Sequence, residues 1–251
     1  MSISKPKLEN PCRKFIDFKS DKGEFFFYDK EKEESVKVPV PLYFVVLDEL
    51  ATISGYNKKN DCGIYSNEVH KTATEILRVK TFKGGESIIG LYNDIKDSIK
   101  ALGGKYTKSV YAMLIHPDKS TELVNFKFRG AAFSAWLDKN VNAATSIVSI
   151  TGFTEEKNGN TTYQVPVFKS FKMTDEIKGE AILMDTVLQE YLTEYKLQQP
   201  EKEIAKAEAA EAIPEPIPAN GNWQGGRPMM TKQDIINKSS ASQTDDDDLP
   251  F

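Results

Sequence analysis

Cysteine and histidine are scarce in this chain, with two of each among 251 residues. Cys12 and Cys62 show no C-x-x-C spacing, and His70 and His116 stand alone, so neither a metal nor any other cofactor is expected. Two histidines also leave few options for general-base chemistry, and no Ser-His-Asp set is legible. Reduced cytoplasmic thiols are the simpler reading of two cysteines. Long apolar runs are missing too. None approaches the ~18 residues of a membrane span, and Met1 to Pro11 has lysines but no apolar h-region, so neither a span nor a secretory signal is expected. A phosphate-binding loop is excluded because Tyr106 follows Gly104-Lys105, and Ile99 stands where the first glycine belongs. A nuclease-like pairing of Pro117-Asp118 with Glu155-Glu156-Lys157 can be forced, but that triplet approaches the Asn158-Gly159 turn, a poor place for metal ligands. The chain therefore reads as a non-enzyme with no catalytic residue.

Charge is present in quantity and unevenly placed. Residues 1–173 carry 26 Lys and Arg against 21 Asp and Glu, while residues 174–251 carry 7 against 16. The overall charge of −4 thus averages a mildly basic body and an acidic tail. That split suits a protein that holds a polyanion with one part and recruits proteins with the other.

Short strands dominate from Cys12 to Phe171. Arg13 to Lys19 and Glu24 to Asp29 flank the turn Ser20-Asp21-Lys22-Gly23 and predict a hairpin. Val36 to Leu47 is β-branched and aromatic, with Pro39 and Pro41 marking an edge or an irregular start. Glu75 to Phe82 alternates. Ile88 to Leu102 breaks the alternation with apolar residues three and four apart, and Gly103-Gly104 stops the predicted helix. Strands are expected again at Ser109 to Ile115 and Leu123 to Phe128, then a short helix over Ala131 to Lys139. Ser146 to Phe153 and Thr161 to Phe171 surround Asn158-Gly159, a type I′ hairpin signal. Thr174-Asp175-Glu176 caps a helix to about Leu197, whose stripe of Ile177, Ala181, Met184, Leu188, Tyr191 and Tyr195 is expected to pack on the body. Pairing of that stripe with a second copy, a homo-oligomer, is the alternative. After Pro200 the composition turns to Ala/Glu/Lys, then Pro, then Gly, and reads as a flexible linker. The expected division is a body over 1–198, a linker over 199–244 and a tip over 245–251.

The tip, Asp245-Asp246-Asp247-Asp248-Leu249-Pro250-Phe251, joins four carboxylates to a stiff apolar end. Four adjacent acids must be solvated, since each buried unpaired charge costs several kcal/mol. The Phe251 ring can fill a partner's pocket while the aspartates meet a basic rim. This ending resembles the C-terminal tip of bacterial single-stranded DNA-binding proteins, and the Gly-rich linker around Trp223 is similar to theirs. The resemblance covers about seven residues. It implies an OB-fold-like barrel, mainly β with helices, and single-stranded DNA as one partner. Replication, recombination and repair proteins would be the others, reached through the tip. The helix at 88–102 between two strands suits that fold. The body departs from the family: it is longer, has an extra hairpin and C-terminal helix, and matches no body motif. It looks more like a divergent, phage-borne member. A recombination mediator, strand-annealing or polymerase-accessory protein with the same tail is the rival reading.

Single-strand binding needs cations to track phosphates and aromatic faces to stack bases. Interleaved residues of both kinds identify the candidates. Arg78, Lys80 and Phe82 share a strand face opposite Leu77 and Val79, with Lys83 just beyond. Tyr56, Lys58, Lys59 and Tyr65 sit in what reads as a long loop. Lys105, Tyr106, Lys108 and Tyr111 follow the helix. Phe126-Lys127-Phe128-Arg129 has the same interleaving, but Val124, Phe126 and Phe128 share a face that belongs to a core.

Overall fold

The computed structural model describes residues 9–139, 142 and 145–211. Eleven strands and three helices follow one another among them: β1 (Lys14–Lys19), β2 (Glu24–Asp29), β3 (Glu34–Val38), β4 (Leu42–Asn57), β5 (Cys62–Ser66), β6 (Leu77–Thr81), β7 (Ser87–Gly90), α1 (Tyr92–Leu102), β8 (Gly104–Ile115), β9 (Thr121–Phe128), α2 (Ala131–Asp138), β10 (Ser146–Asn158), β11 (Thr161–Lys172) and α3 (Asp175–Glu211). The chain divides into two units, Met1–Lys202 and Glu203–Phe251. The first holds every strand. Of the second, only the end of α3 is described.

The sheet runs in the order β3-β2-β1-β9-β8-β4-β5-β6-β7, and β10 branches from β4 to pair with β11. All pairings are antiparallel except β1 with β9. The expectation of a mainly β body with helices, an added hairpin and a C-terminal helix therefore holds. The strand path itself is open, with β3 and β7 at its ends.

Proline divides the stretch over 36–47 where Pro39 and Pro41 marked an edge or an irregular start: β3 stops before Pro39 and β4 starts after Pro41. A proline offers no N–H to a ladder, so the split falls there and β3 takes the sheet edge. A departure from the sequence reading is β7. Ile88 was spaced like a helical residue, but Val79 pairs with Ile88 and Leu77 with Gly90, and the helix starts only at Tyr92. Ile88 and Leu91, three apart, would share a helix face but fall on opposite faces of a strand, so the spacing pointed to the helix and only pairing with β6 makes Ile88 a strand residue. At the other end α1 stops as expected, with Gly103 at φ +96° returning its N–H to Ile99 and Lys100.

The expected long loop between Tyr56 and Tyr65 is a tight hairpin instead. β4 reaches Asn57 and β5 begins at Cys62, so both tyrosines lie on strands. The β10–β11 turn also sits one residue later than expected. Asn158 pairs with Thr161, which centres the turn on Gly159-Asn160, and Gly159 at φ +58° takes the first central position that a type II′ turn gives to glycine.

The cores follow the alternation. Phe25, Phe44, Phe126, Phe128 and Trp136 fill the space among β2, β4, β9 and α2. Ile53, Ile64, Leu77, Val79, Ile95 and Ile99 pack under α1. The α3 stripe lies on the sheet as expected, with Leu188 and Leu192 against Leu50 and Tyr111, and Ala181 against Val45 and Met113. Thr174 caps it through Oγ1 to the Ile177 N–H at 3.4 Å. The helix runs past the expected end near Leu197 to Glu211, since 201–211 is rich in Ala, Glu and Lys, all strong helix formers. The rest of the expected linker, 212–244, and the tip, 245–251, lie outside the described residues. Among the described residues no helix is long and apolar enough to cross a membrane.

Candidate nucleic-acid interface

The end of β4 packs unusually closely on the α1–β8 junction, and glycine makes this possible. A Cβ on Gly55 would lie 2.3 Å from the Gly103 carbonyl oxygen, and one on Gly103 would lie 2.4 Å from that of Tyr56. The contact leaves a cleft of about 790 Å³ above it, on whose wall stand Tyr56, Lys58, Lys59, Lys100, Lys105 and Arg129 and, among the described residues, no carboxylate. Buried Asn57 shapes its rim. Its Oδ1 accepts the N–H groups of Lys59 and Asn60 at 2.9 and 3.2 Å, and its Nδ2 donates to Glu86 at 3.0 Å. The turn that carries both lysines is thereby held. Tyr56 donates its hydroxyl to Asp61, a bond that raises the phenol's pKa.

Arg129 joins this cleft to a second one of about 370 Å³, bounded by Phe15, Asp17, Tyr65, Glu68, Tyr191 and Tyr195 among others. Its guanidinium lies 2.9 Å from Asp17 Oδ1 and donates to Ser54 Oγ at 3.3 Å. Burial raises the Asp17 carboxyl, and Arg129 and Lys127 offset part of that.

Beneath the second cleft is a buried polar network. Glu68 accepts from Ser109 at 2.7 Å, from Lys127 at 2.6 Å and from Tyr111 at 2.7 Å. Lys127 and Asn125 also donate to Ser109, at 2.9 and 2.7 Å. Burial on its own would raise the Glu68 carboxyl, but the Lys127 charge and the three hydrogen bonds outweigh it and hold the group below the usual carboxylate range. Tyr111 moves the other way, pushed up by burial and by the neighbouring Glu68 charge.

The sequence candidates separate into those the fold gathers and those it does not. Tyr56, Lys58, Lys59 and Lys105 meet at the cationic cleft. Tyr65 reaches the second cleft and pairs with Phe82, ring centroids 4.6 Å apart, with Phe82 73% exposed over Gly63. Lys80 stands opposite Tyr65 across the β5–β6 ladder, so Arg78, Lys80 and Phe82 extend the same face, with exposed Lys83 at its end. Three candidates are elsewhere. Tyr111 is only 1% exposed and its hydroxyl is taken by Glu68, so no ring face is open for stacking. Tyr106 and Lys108 alternate with Lys105 and point through the sheet to its other side. There Tyr106 packs on Tyr92 and Phe133 at 5.2 and 5.1 Å, and Lys108 pairs with Glu49 at 3.0 Å.

Sequence reasoning missed Lys100, Asp17 and Glu68, set Lys127 and Arg129 aside with the core phenylalanines they alternate with, ranked Phe15 below the residues it chose, and gave Tyr191 and Tyr195 a packing role. Lys127 and Arg129 carried a usable signal: they alternate with the buried Phe126 and Phe128, the pattern that singled out Arg78 and Lys80. Tyr191 and Tyr195 had none, because only packing of α3 on the sheet brings them to the cleft. No family model, curated protein or solved structure significantly matches this chain.

Proposed function

We propose that the body binds single-stranded DNA without sequence preference and that the acidic tip recruits replication, recombination and repair proteins. The observation that carries the first half is the cleft that gathers four lysines and Arg129 beside the exposed Tyr56 ring, with no carboxylate among its described lining residues. Such an excess of cations attracts a polyanion, and an adjacent aromatic face gives a base somewhere to stack. A helicase-like or polymerase-like catalyst is not part of this reading: the chain is taken as a binding module.

The connectivity supports an OB-like ancestry for the central strands. β4 is flanked by β5 and β8, a helix precedes β8, and β9 follows on its far side. This is the OB order of strands one to five, with β6 as strand three. The departure is that β9 takes β1, not β6, as its parallel partner, which leaves the path open. On this reading the cleft and the Tyr65–Phe82 pair occupy the face that OB-folds use for oligonucleotides.

Titration of the full chain with poly-dT tests the reading directly. Intrinsic Tyr and Trp fluorescence should quench on binding. If all five cleft cations neutralise phosphates, the salt dependence should have a slope of about −3.5. Absence of binding to long poly-dT at low salt would remove the single-strand reading and favour a mediator that contacts duplex or protein instead.

A further inference from the structure

The two joined clefts differ in charge. The described wall of the larger has cations and no carboxylate, whereas in the smaller Asp17 and Glu68 offset Arg129 and Lys127, paired at 2.9 and 2.6 Å. Cations already paired with carboxylates hold phosphate less well than unpaired ones. The backbone of a strand lying in the first cleft therefore gains little by entering the second.

What the second cleft offers is rings. Phe15 comes from β1, Tyr65 from β5, and Tyr191 and Tyr195 from α3. The two α3 rings lie one helical turn apart, their centroids 5.9 Å apart and their planes within 28°. Phe15 is steadied by Lys127, whose Nζ is 5.6 Å from the ring centroid. At about 370 Å³ the space is at the small end of ligand pockets. On its wall stand Asp17 and Arg129, paired at 2.9 Å; the carboxylate can accept from a base N–H, and the guanidinium can donate to a ring nitrogen or carbonyl.

We propose that the cleft bounded by Phe15, Tyr65, Tyr191 and Tyr195 holds one nucleobase turned out of a single strand whose phosphates follow the neighbouring cationic cleft. This rests on the single-strand reading above. It makes α3 part of the DNA-binding surface and places Arg129 at the point where base and backbone part.

Photo-crosslinking of the full-length protein to an oligo-dT carrying one 5-iododeoxyuridine, read by peptide mass spectrometry, tests the assignment. Adducts are expected on Tyr195, Tyr191 or Phe15. Tyr195→Ala should weaken oligonucleotide binding roughly 5- to 150-fold, as loss of one stacked base does, while Tyr195→Phe stays within about twofold because the ring is kept. If Tyr195→Ala lowers the thermal midpoint, Phe15→Ala on the opposite wall makes the same test without touching α3. Adducts confined to Tyr56, with normal affinity in both alanine variants, would overturn the base pocket while poly-dT binding left the single-strand reading intact. Failure of the wild type to bind poly-dT at all would overturn both.

Discussion

Glu68 and Lys127 form an ion pair at 2.6 Å with side chains only 13% and 17% exposed, and the Lys127 charge helps to keep Glu68 ionised. Removing one partner leaves a buried charge uncompensated, so Glu68→Ala should cost about 3–5 kcal/mol in denaturant unfolding. The pH response follows from the direction of the shift. A carboxyl held below its unfolded value contributes fully above about pH 4.3 and loses that contribution as the pH falls through its folded value. Stability should therefore drop on the acid side, and Glu68→Gln should flatten that limb of the stability–pH curve. Lys105 is the opposite kind of residue. It is exposed and lines the cationic cleft, so Lys105→Ala should leave the unfolding midpoint unchanged. On the proposed function it should make the salt slope of poly-dT binding shallower by about 0.7, one phosphate contact. Lys108, three residues on, is a control for this. It pairs with Glu49 across the sheet, and its removal should leave the slope alone.

At the scale of elements, the cleft exists because a strand end and a helix end can touch. Gly103 combines the two demands, a left-handed conformation at φ +96° and a Cβ position 2.4 Å from the Tyr56 carbonyl oxygen. Gly103→Ala should destabilise the protein by more than about 1 kcal/mol. Because the clash is with backbone, it should also displace Tyr56 and weaken oligonucleotide binding, which thermal unfolding and a binding titration together would register. Elements were legible where period and punctuation agreed. Gly103 marked the end of α1, the bounds of β2 matched residue for residue, and the Thr174 cap opened α3. They were misread where strand pairing overrode a helical spacing, as at Ile88, or where turn residues hid a tight hairpin, as at 58–61. Strand pairing distant in sequence, such as β1 with β9, left no local mark at all.

For the whole molecule, the charge asymmetry is the feature that sequence composition carries best. Residues 1–173 have an excess of cations and 174–251 an excess of acids. On the proposed function the tip is a weak, repeated contact. Burying the Phe251 ring is worth roughly 1.5–3 kcal/mol, and one charge-assisted bond between an aspartate of the tip and a basic rim adds about 1.5–3 kcal/mol. Together these amount to about 3–6 kcal/mol, millimolar to tens of micromolar binding, raised by effective concentration where many copies coat one strand. Deleting Phe251 should abolish pull-down of partner proteins and leave poly-dT affinity unchanged. Retained recruitment would dispose of the hot-spot account.

The mainly β character, the three helices, the inward faces of Phe126 and Phe128, and the acidic ending were all readable from residue order. Each depends on local spacing or on composition, and these survive in a linear string. The groove was readable only in pieces. Tyr56, Lys58, Lys59 and Lys105 could be named, but not their meeting with Arg129, nor the burial of Tyr111. Still less could it foretell that α3 would bring Tyr191 and Tyr195 to face Phe15. Those groupings join residues between 24 (Lys105 and Arg129) and 180 (Phe15 and Tyr195) positions apart, and the packing of sheet and helix alone decides them.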